Sequence, residues 1–144
     1  MKIEHILIPT DFSDQSQVAL DYATALREKF SAQVTLIHVV EPFLGYGTEL
    51  SIIPANVDID RESAAESRLK ELAAGFGGTL PVKALCLNGQ PWRVICEWAA
   101  ENKVDLIVMP THGYSGLLHL WLGSVAERVV QKAPCPVLTV RATA

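Results

Sequence analysis

Apolar residues occur along this chain in five short runs, separated by stretches in which they recur every three or four positions. The runs are 3–9 (IEHILIP), 33–40 (QVTLIHVV), 82–87 (VKALCL), 104–109 (VDLIVM) and 135–140 (CPVLTV). Their Val, Ile and Leu content suits strands of a parallel sheet covered on both faces. Between them the spacing predicts four helices. The first is capped by Ser13 and runs to about Phe30, with Val18, Tyr22 and Ala25/Leu26 as its inner stripe. The second spans 60–76, with Ala65, Leu69, Leu72 and Phe76 inward, and Gly75, Gly77 and Gly78 stop it. Pro91 suits the first turn of a third helix, 91–101, whose inner face is Val94, Ile95 and Trp98. The fourth runs from Ser124 to about Lys132, before Pro134.

Strict alternation of strand and helix predicts an open, doubly wound α/β sheet with helices on both faces and right-handed crossovers. The 144 residues suit one domain covering 1–144. In such sheets ligands bind beyond the carboxyl ends of the strands, where the winding reverses. That rule directs attention to two turns: Pro9-Thr10-Asp11 after the first strand and Pro110-Thr111-His112-Gly113 after the fourth. Residues 41–59 show no clear period. They read either as a lid or partner surface, or as a short helical turn covering the sheet edge.

Composition narrows the function classes. At 49% hydrophobic and 19% charged, the chain can bury a real core. Its net charge of −4 argues against a broad nucleic-acid surface, but not against a small anion site. Cys86, Cys96 and Cys135 form no CxxC pair or ligand cluster and read as small hydrophobes in a reducing, cytoplasmic setting. The N-terminus lacks a signal-peptide cleavage pattern. Residues 106–126 contain no Asp, Glu, Lys or Arg, a run long enough to span a membrane. Its proline, histidines and glycines favour a strand, an uncharged loop and a helix start instead.

The strongest local signal lies in that run. Gly113 permits a close backbone approach, and after nine intervening residues Gly123-Ser124 opens a helix. Ser124 and Glu127 have capping-box spacing. The amides of the first turn, including those of Val125 and Ala126, also make an anion site. A capped helix with two turn glycines and no ligand fits the same residues. Neither GxxxxGK[ST] nor GxGxxG is present, and 106–126 supplies no fixed cation, so amides, hydroxyls, His112, His119 or a metal ion would have to hold a phosphate. Asp11 could accept hydrogen bonds from a ribose or an adenine amine, or could serve with Ser13 to cap the first helix. His5 and His38 read as structural. No nucleophile, base and carboxylate stand at motif spacing, so no catalytic residue is assigned.

ILIPTDFSDQS (6–16), LIHVV (36–40) and LIVMPTHGYSGLLHLWLGSVAERVVQKAPCPVLTV (106–140) together resemble the universal stress protein family across nearly the whole chain. The resemblance implies a Rossmann-like sheet of five parallel strands in the order 3-2-1-4-5. It also implies an adenine-nucleotide site made by Pro9, Thr10, Asp11, Val39, Met109, Pro110, His112, Gly113, Gly123, Ser124 and Val125. ATP is the nucleotide expected, with Mg2+ or Mn2+ held mainly by its phosphates. Turnover is at most slow ATP hydrolysis or autophosphorylation, in a cytoplasmic stress-response or signalling role. Pro110 stands where the family's first motif glycine belongs. Proline removes an N–H and fixes φ, so it weakens the site if that glycine uses either, and is compatible if an extended link suffices. Tyr114 and Leu118-His119 stand where many relatives place Arg or Lys.

The family also implies a homodimer through the last strand, here 137–140, whose apolar edge needs a partner. Leu117, Leu118, Leu120, Trp121 and Leu122 are too many for an exposed loop, and some should pack on the sheet or on another subunit. The alternative function is a nucleotide-free homodimer acting as an interaction or chaperone-like protein. Neither reading involves nucleic acid or a membrane.

Overall fold

A computed structural model describes residues 1–42, 56–113 and 122–142. The elements alternate as expected: β1 (His5–Pro9), α1 (Asp14–Phe30), β2 (Gln33–Val40), α2 (Asn56–Ala74), β3 (Val82–Asn88), α3 (Pro91–Glu101), β4 (Leu106–Pro110), α4 (Ser124–Lys132) and β5 (Val137–Val140). All strand pairs are parallel, and the sheet order is β3-β2-β1-β4-β5. α2 begins at Asn56, so the end of the 41–59 connection is helical. Residues 43–55 lie outside the described residues, as do Leu117, Leu118, Leu120 and Trp121.

Alternation along each strand divides the core in two. Ile6, Ile8, Val34, Leu36 and Val108 face α1 and α2. Leu7, Ile37, Ile107 and Met109 face α3 and α4. Both faces are therefore covered, which explains why the strands read as continuous apolar runs rather than alternating ones. Leu122, at the far side of the uncharged run, packs against the second of these clusters. No helix among the described residues is long and apolar enough to cross a membrane.

The inner stripe of α1 differs from the expected one. Its buried residues are Ser16, Ala19, Leu20, Ala23 and Arg27, while Tyr22 is 55% exposed and Ala25 is exposed. Val18 and Leu26 pack at the margin of the core. Small side chains at 16, 19 and 23 let the helix lie close to the sheet, so the stripe follows fit rather than size. Arg27 is buried, donates from Nη2 to the Leu80 carbonyl and lies over the Phe76 ring, tying α1 to the turn before β3. In α3, Ile95 is buried as expected, together with Cys96 and Ala99, while Val94 and Trp98 are half-buried against the same core. Burial pushes the thiols of Cys86, Cys96 and Cys135 up, and all three are free.

Pairing along the sheet is uneven in a way that positions the site. β1 follows β2 to Pro9↔Ile37, and β4 follows β5 to Pro110↔Val140. Between β1 and β4 the register holds only Ile6↔Leu106 and Leu7↔Ile107. The Thr10 amide donates to Ile37 O at 2.9 Å, toward β2, and the Thr111 amide donates to Val140 O at 3.0 Å, toward β5. Successive amides in a strand point to opposite sides. The nitrogens of Pro9 and Pro110 therefore face each other's strand, and neither carries an N–H. Two central strands thus tolerate proline because its missing donor falls on the seam where pairing ends. Pro110 is the last residue of β4, an extended position at a strand end.

At the other end of the seam Asp105 holds the same strands together. Its Oδ2 accepts from the amides of Glu4 and His5, each at 2.9 Å. Hydrogen bonds to a charged acceptor contribute more than neutral ones. Asp105→Ala is expected to cost about 2 kcal/mol, measured by urea unfolding, with the urea m-value unchanged.

Candidate functional site

The open end of the β1/β4 seam is the floor of a pocket of about 510 Å³, within the usual range for small-molecule sites. All eleven residues proposed from the sequence line it. Pro9, Thr10 and Asp11 form one lip at the end of β1, and Met109, Pro110, His112 and Gly113 form the other after β4. Val39 comes from β2, and Gly123, Ser124 and Val125 come from the start of α4. Ser16, Ile37, His38, Glu41, Arg61, Pro91, Ile95, Thr111 and Ala126 also line the pocket outside those eleven; of these, Thr111 stands in the expected turn and Ala126 among the expected helix-start amides. His38 and Ile37 could have been found from their place at the carboxyl end of β2. Arg61 could not, because it follows a connection with no readable period.

The turn after β1 is tightly specified. Phe12 has a φ of 64°, a left-handed conformation uncommon for a bulky residue, and this reverses the chain in a short space. Three bonds support the turn: Phe12 N donates to Thr10 Oγ1 at 3.0 Å, Ser13 N to Asp11 Oδ1 at 3.0 Å, and Ser16 Oγ to the same carboxylate oxygen at 2.7 Å. Ser13 is the N-cap of α1 and accepts from Ser16 N. Asp11 thus supports the start of α1, as the capping reading expects. Oδ1 orders the turn, while Oδ2 is turned across the seam against Gly113. A Cβ at 113 would meet that oxygen closer than real Cβ contacts allow, so any larger residue would displace the Asp11 carboxylate; the constraint is close approach rather than a turn.

His38 joins this turn to β2. Its Nδ1 donates to the Thr10 carbonyl at 2.7 Å, and its ring lies 4.5 Å from that of Phe12. The Arg68 guanidinium covers Phe12, 4.4 Å from the ring centroid. Burial holds the His38 imidazole below its ordinary range, with nearby Arg61 and Arg68 acting in the same direction and Asp11 opposing them. His38 is thus structural in its bonding, as expected, and also part of the pocket wall. His5 lies outside the pocket, edge-on to Trp98, with Nε2 2.9 Å from Thr35 Oγ1, and burial lowers its pKa too.

The capping box expected at Ser124 and Glu127 is not the arrangement found. The N-cap is Gly123, whose carbonyl accepts from Glu127 N at 2.9 Å, and Ser124 is the first helical residue. The cause is tertiary. Gly123 N donates to the Thr111 carbonyl at 2.7 Å, which pins the helix start one residue earlier than the spacing implies. A Cβ at 123 would lie 3.2 Å from that carbonyl. The start of α4 is thereby held against the lip after β4, with Gly123, Ser124, Val125 and Ala126 lining the pocket. His112 is buried beside it, with Nδ1 3.1 Å from Thr111 Oγ1. Among the described residues no three His, Cys, Asp or Glu side chains cluster to hold a metal. His119 and Tyr114 lie outside the described residues.

The profile described as the universal stress protein family matches residues 2–141. A universal stress protein of Methanocaldococcus jannaschii, MJ0531, is 40% identical over 140 residues, covering 94% of this chain and 81% of its own length. The solved structure of MJ0577 from the same organism superposes with a TM-score of 0.85 at 28% identity, covering 100% of this chain and 99% of that one. A universal stress protein solved in complex with cAMP has the same fold, with a TM-score of 0.73 at 24% identity, covering 99% of this chain and 100% of that one.

Two outcomes follow from the site's geometry. Gly113→Ala is expected to destabilise by about 1–3 kcal/mol through overpacking. Much of that loss should be relieved in the Asp11→Ala background, giving a coupling of about 1 kcal/mol or more in a double-mutant cycle of unfolding free energies. Separately, the lowered pKa values of His5 and His38 mean that the unfolded chain takes up their protons first. Their contribution to stability is complete above about pH 6.5 and declines as the pH falls through the lowered folded values. Thermal melts from pH 7.5 to 5.5 should show that decline, and His38→Asn, which keeps a donor near the Nδ1 position, should make it shallower.

Proposed function

The chain belongs to the universal stress protein family, and on that premise we propose that its switch-point pocket binds an adenine nucleotide, ATP as its Mg2+ or Mn2+ complex, in a stress-response or signalling role. One observation carries this reading: the Asp11 carboxylate and the amino end of α4 meet the same pocket from opposite lips of the open seam. A carboxylate suits ribose hydroxyls, and a helix N-terminus suits phosphate. The walls between them complete the match. Ile37, Val39, Ile95 and Met109 offer an apolar slot for a purine, and the backbone of Val39 has amide groups for its edge.

Each group has a separable task. Ser16 and the Ser13 amide hold Asp11 by one oxygen, so its other oxygen is aimed before a ligand arrives. Gly113 gives that oxygen room. With Gly123 as the cap, the Ser124 hydroxyl is available to donate toward a phosphate oxygen. A divalent ion, when bound, neutralises phosphate charge and is held chiefly by the phosphates, since no protein ligand cluster is built for it among the described residues. The described pocket presents no nucleophile–base pair for rapid turnover, so binding is the activity proposed, with hydrolysis or autophosphorylation slow at most. A universal stress protein of the same fold solved in complex with cAMP supports an adenine ligand. β5 is an edge strand with Val137, Leu138 and Thr139 half-buried, and a second copy paired along 137–140 is the proposed assembly.

Calorimetric titration of nucleotide-stripped protein with ATP and excess Mg2+ is expected to show saturable binding. Asp11→Asn should weaken it about tenfold, or ~1.4 kcal/mol. No saturation at millimolar ligand would sink this reading and favour a nucleotide-free interaction protein.

A further inference from the structure

We infer that the pocket selects among adenine nucleotides by charge, preferring one phosphate to three when no divalent ion is present, and that Arg61 limits this preference by favouring the longer phosphate chain. The inference rests on the adenine-nucleotide reading and extends it to the class of ligand the site takes.

The chain has 12 Lys and Arg residues, and every one lies among the described residues. Segments 43–55 and 114–121 contain none, so no arrangement of those segments can bring a fixed cation to the site. Of the 12, Arg61 alone lines the pocket. Two carboxylate residues, Asp11 and Glu41, line it as well, and Glu127 stands in the first turn of α4. One guanidinium therefore faces an acidic surround.

Position sharpens the argument. Arg61 Nη1 donates to the Glu41 carbonyl at 3.2 Å, just beyond the end of β2. β1 lies between β2 and β4 in the sheet, so this anchor is about 10 Å from the β4 lip at ordinary strand spacing. A phosphate at α4 would be held by amides and a hydroxyl, with Arg61 acting across the cavity. The amides of one helix start can satisfy a first phosphate. A second and a third add negative charge without a further cation to meet it, and Glu127 offsets part of the helix field. A bound divalent ion removes the excess, so the order should depend on metal in a way that a lysine-rich phosphate cradle would not show.

The test is calorimetric titration of stripped protein with AMP, ADP and ATP at low ionic strength, once in EDTA and once in excess Mg2+. In EDTA, AMP should bind at least about threefold more tightly than ATP, and Mg2+ should close or reverse the gap. Arg61→Gln should weaken ATP more than AMP in EDTA, by about threefold beyond any common loss. Lys29→Gln, the same change in net charge at the far end of α1, should leave the ratio unchanged. ATP binding more tightly than AMP in EDTA would overturn the inference while leaving the adenine-nucleotide reading intact, as would an Arg61→Gln loss equal for both ligands. Failure of all three nucleotides to bind under both conditions would overturn that reading and this inference with it.

Discussion

The arrangement of the site depends on two missing hydrogen-bond donors. Pro9 and Pro110 end neighbouring central strands, and the amide that each lacks would have pointed into their shared seam. Pairing between β1 and β4 therefore stops at Leu7↔Ile107, while each strand continues beside its outer neighbour. A doubly wound sheet already reverses its winding at this boundary. The prolines convert that reversal into an opening with polar groups on both lips, at a place where neither contributes an N–H to be left unpaired. Asp105 closes the opposite end of the seam, so the opening is local.

Everything placed at the opening is held by contacts made outside it. Asp11 is oriented by the start of α1, through the Ser13 amide and the Ser16 hydroxyl. Thr10 is held by Ile37 through its amide and by His38 through its carbonyl. Gly123 is pinned by the Thr111 carbonyl, which decides where α4 begins. Such support from neighbouring elements is what keeps polar groups aimed at a cavity before a ligand enters. It also explains the close approach at Gly113, where two turns from distant parts of the chain meet.

Much of the fold was legible from spacing, because burial on both faces leaves long Val, Ile and Leu runs that few other architectures need. The pocket residues were legible for a different reason. The turns after the first and fourth strands occupy the switch point in any sheet of this order, and Asp11, Gly113 and Gly123 stand in or beside them. Two local patterns misled. The α1 stripe was sought among large residues, but Ala19 and Ala23 face the sheet because a helix packed closely on strands needs small ones. Ser124 and Glu127 have capping spacing, yet a hydrogen bond from Gly123 to a residue twelve positions earlier moved the cap. Neither outcome is encoded in nearest neighbours.

The amino-acid sequence by itself determined the alternation of elements, the two covered faces, the polar turns at the strand ends and the absence of any Lys or Arg from 106–126. These are properties of residue type and period, which local physics reads directly. Tertiary structure decided which side of each strand the two prolines face. It also decided that Arg61, far along the chain, reaches the pocket that the uncharged run forms. Both depend on strand pairing and on the placement of a helix across a long connection. Strand parity is relative to a neighbour, and a charge acts through space rather than along the chain.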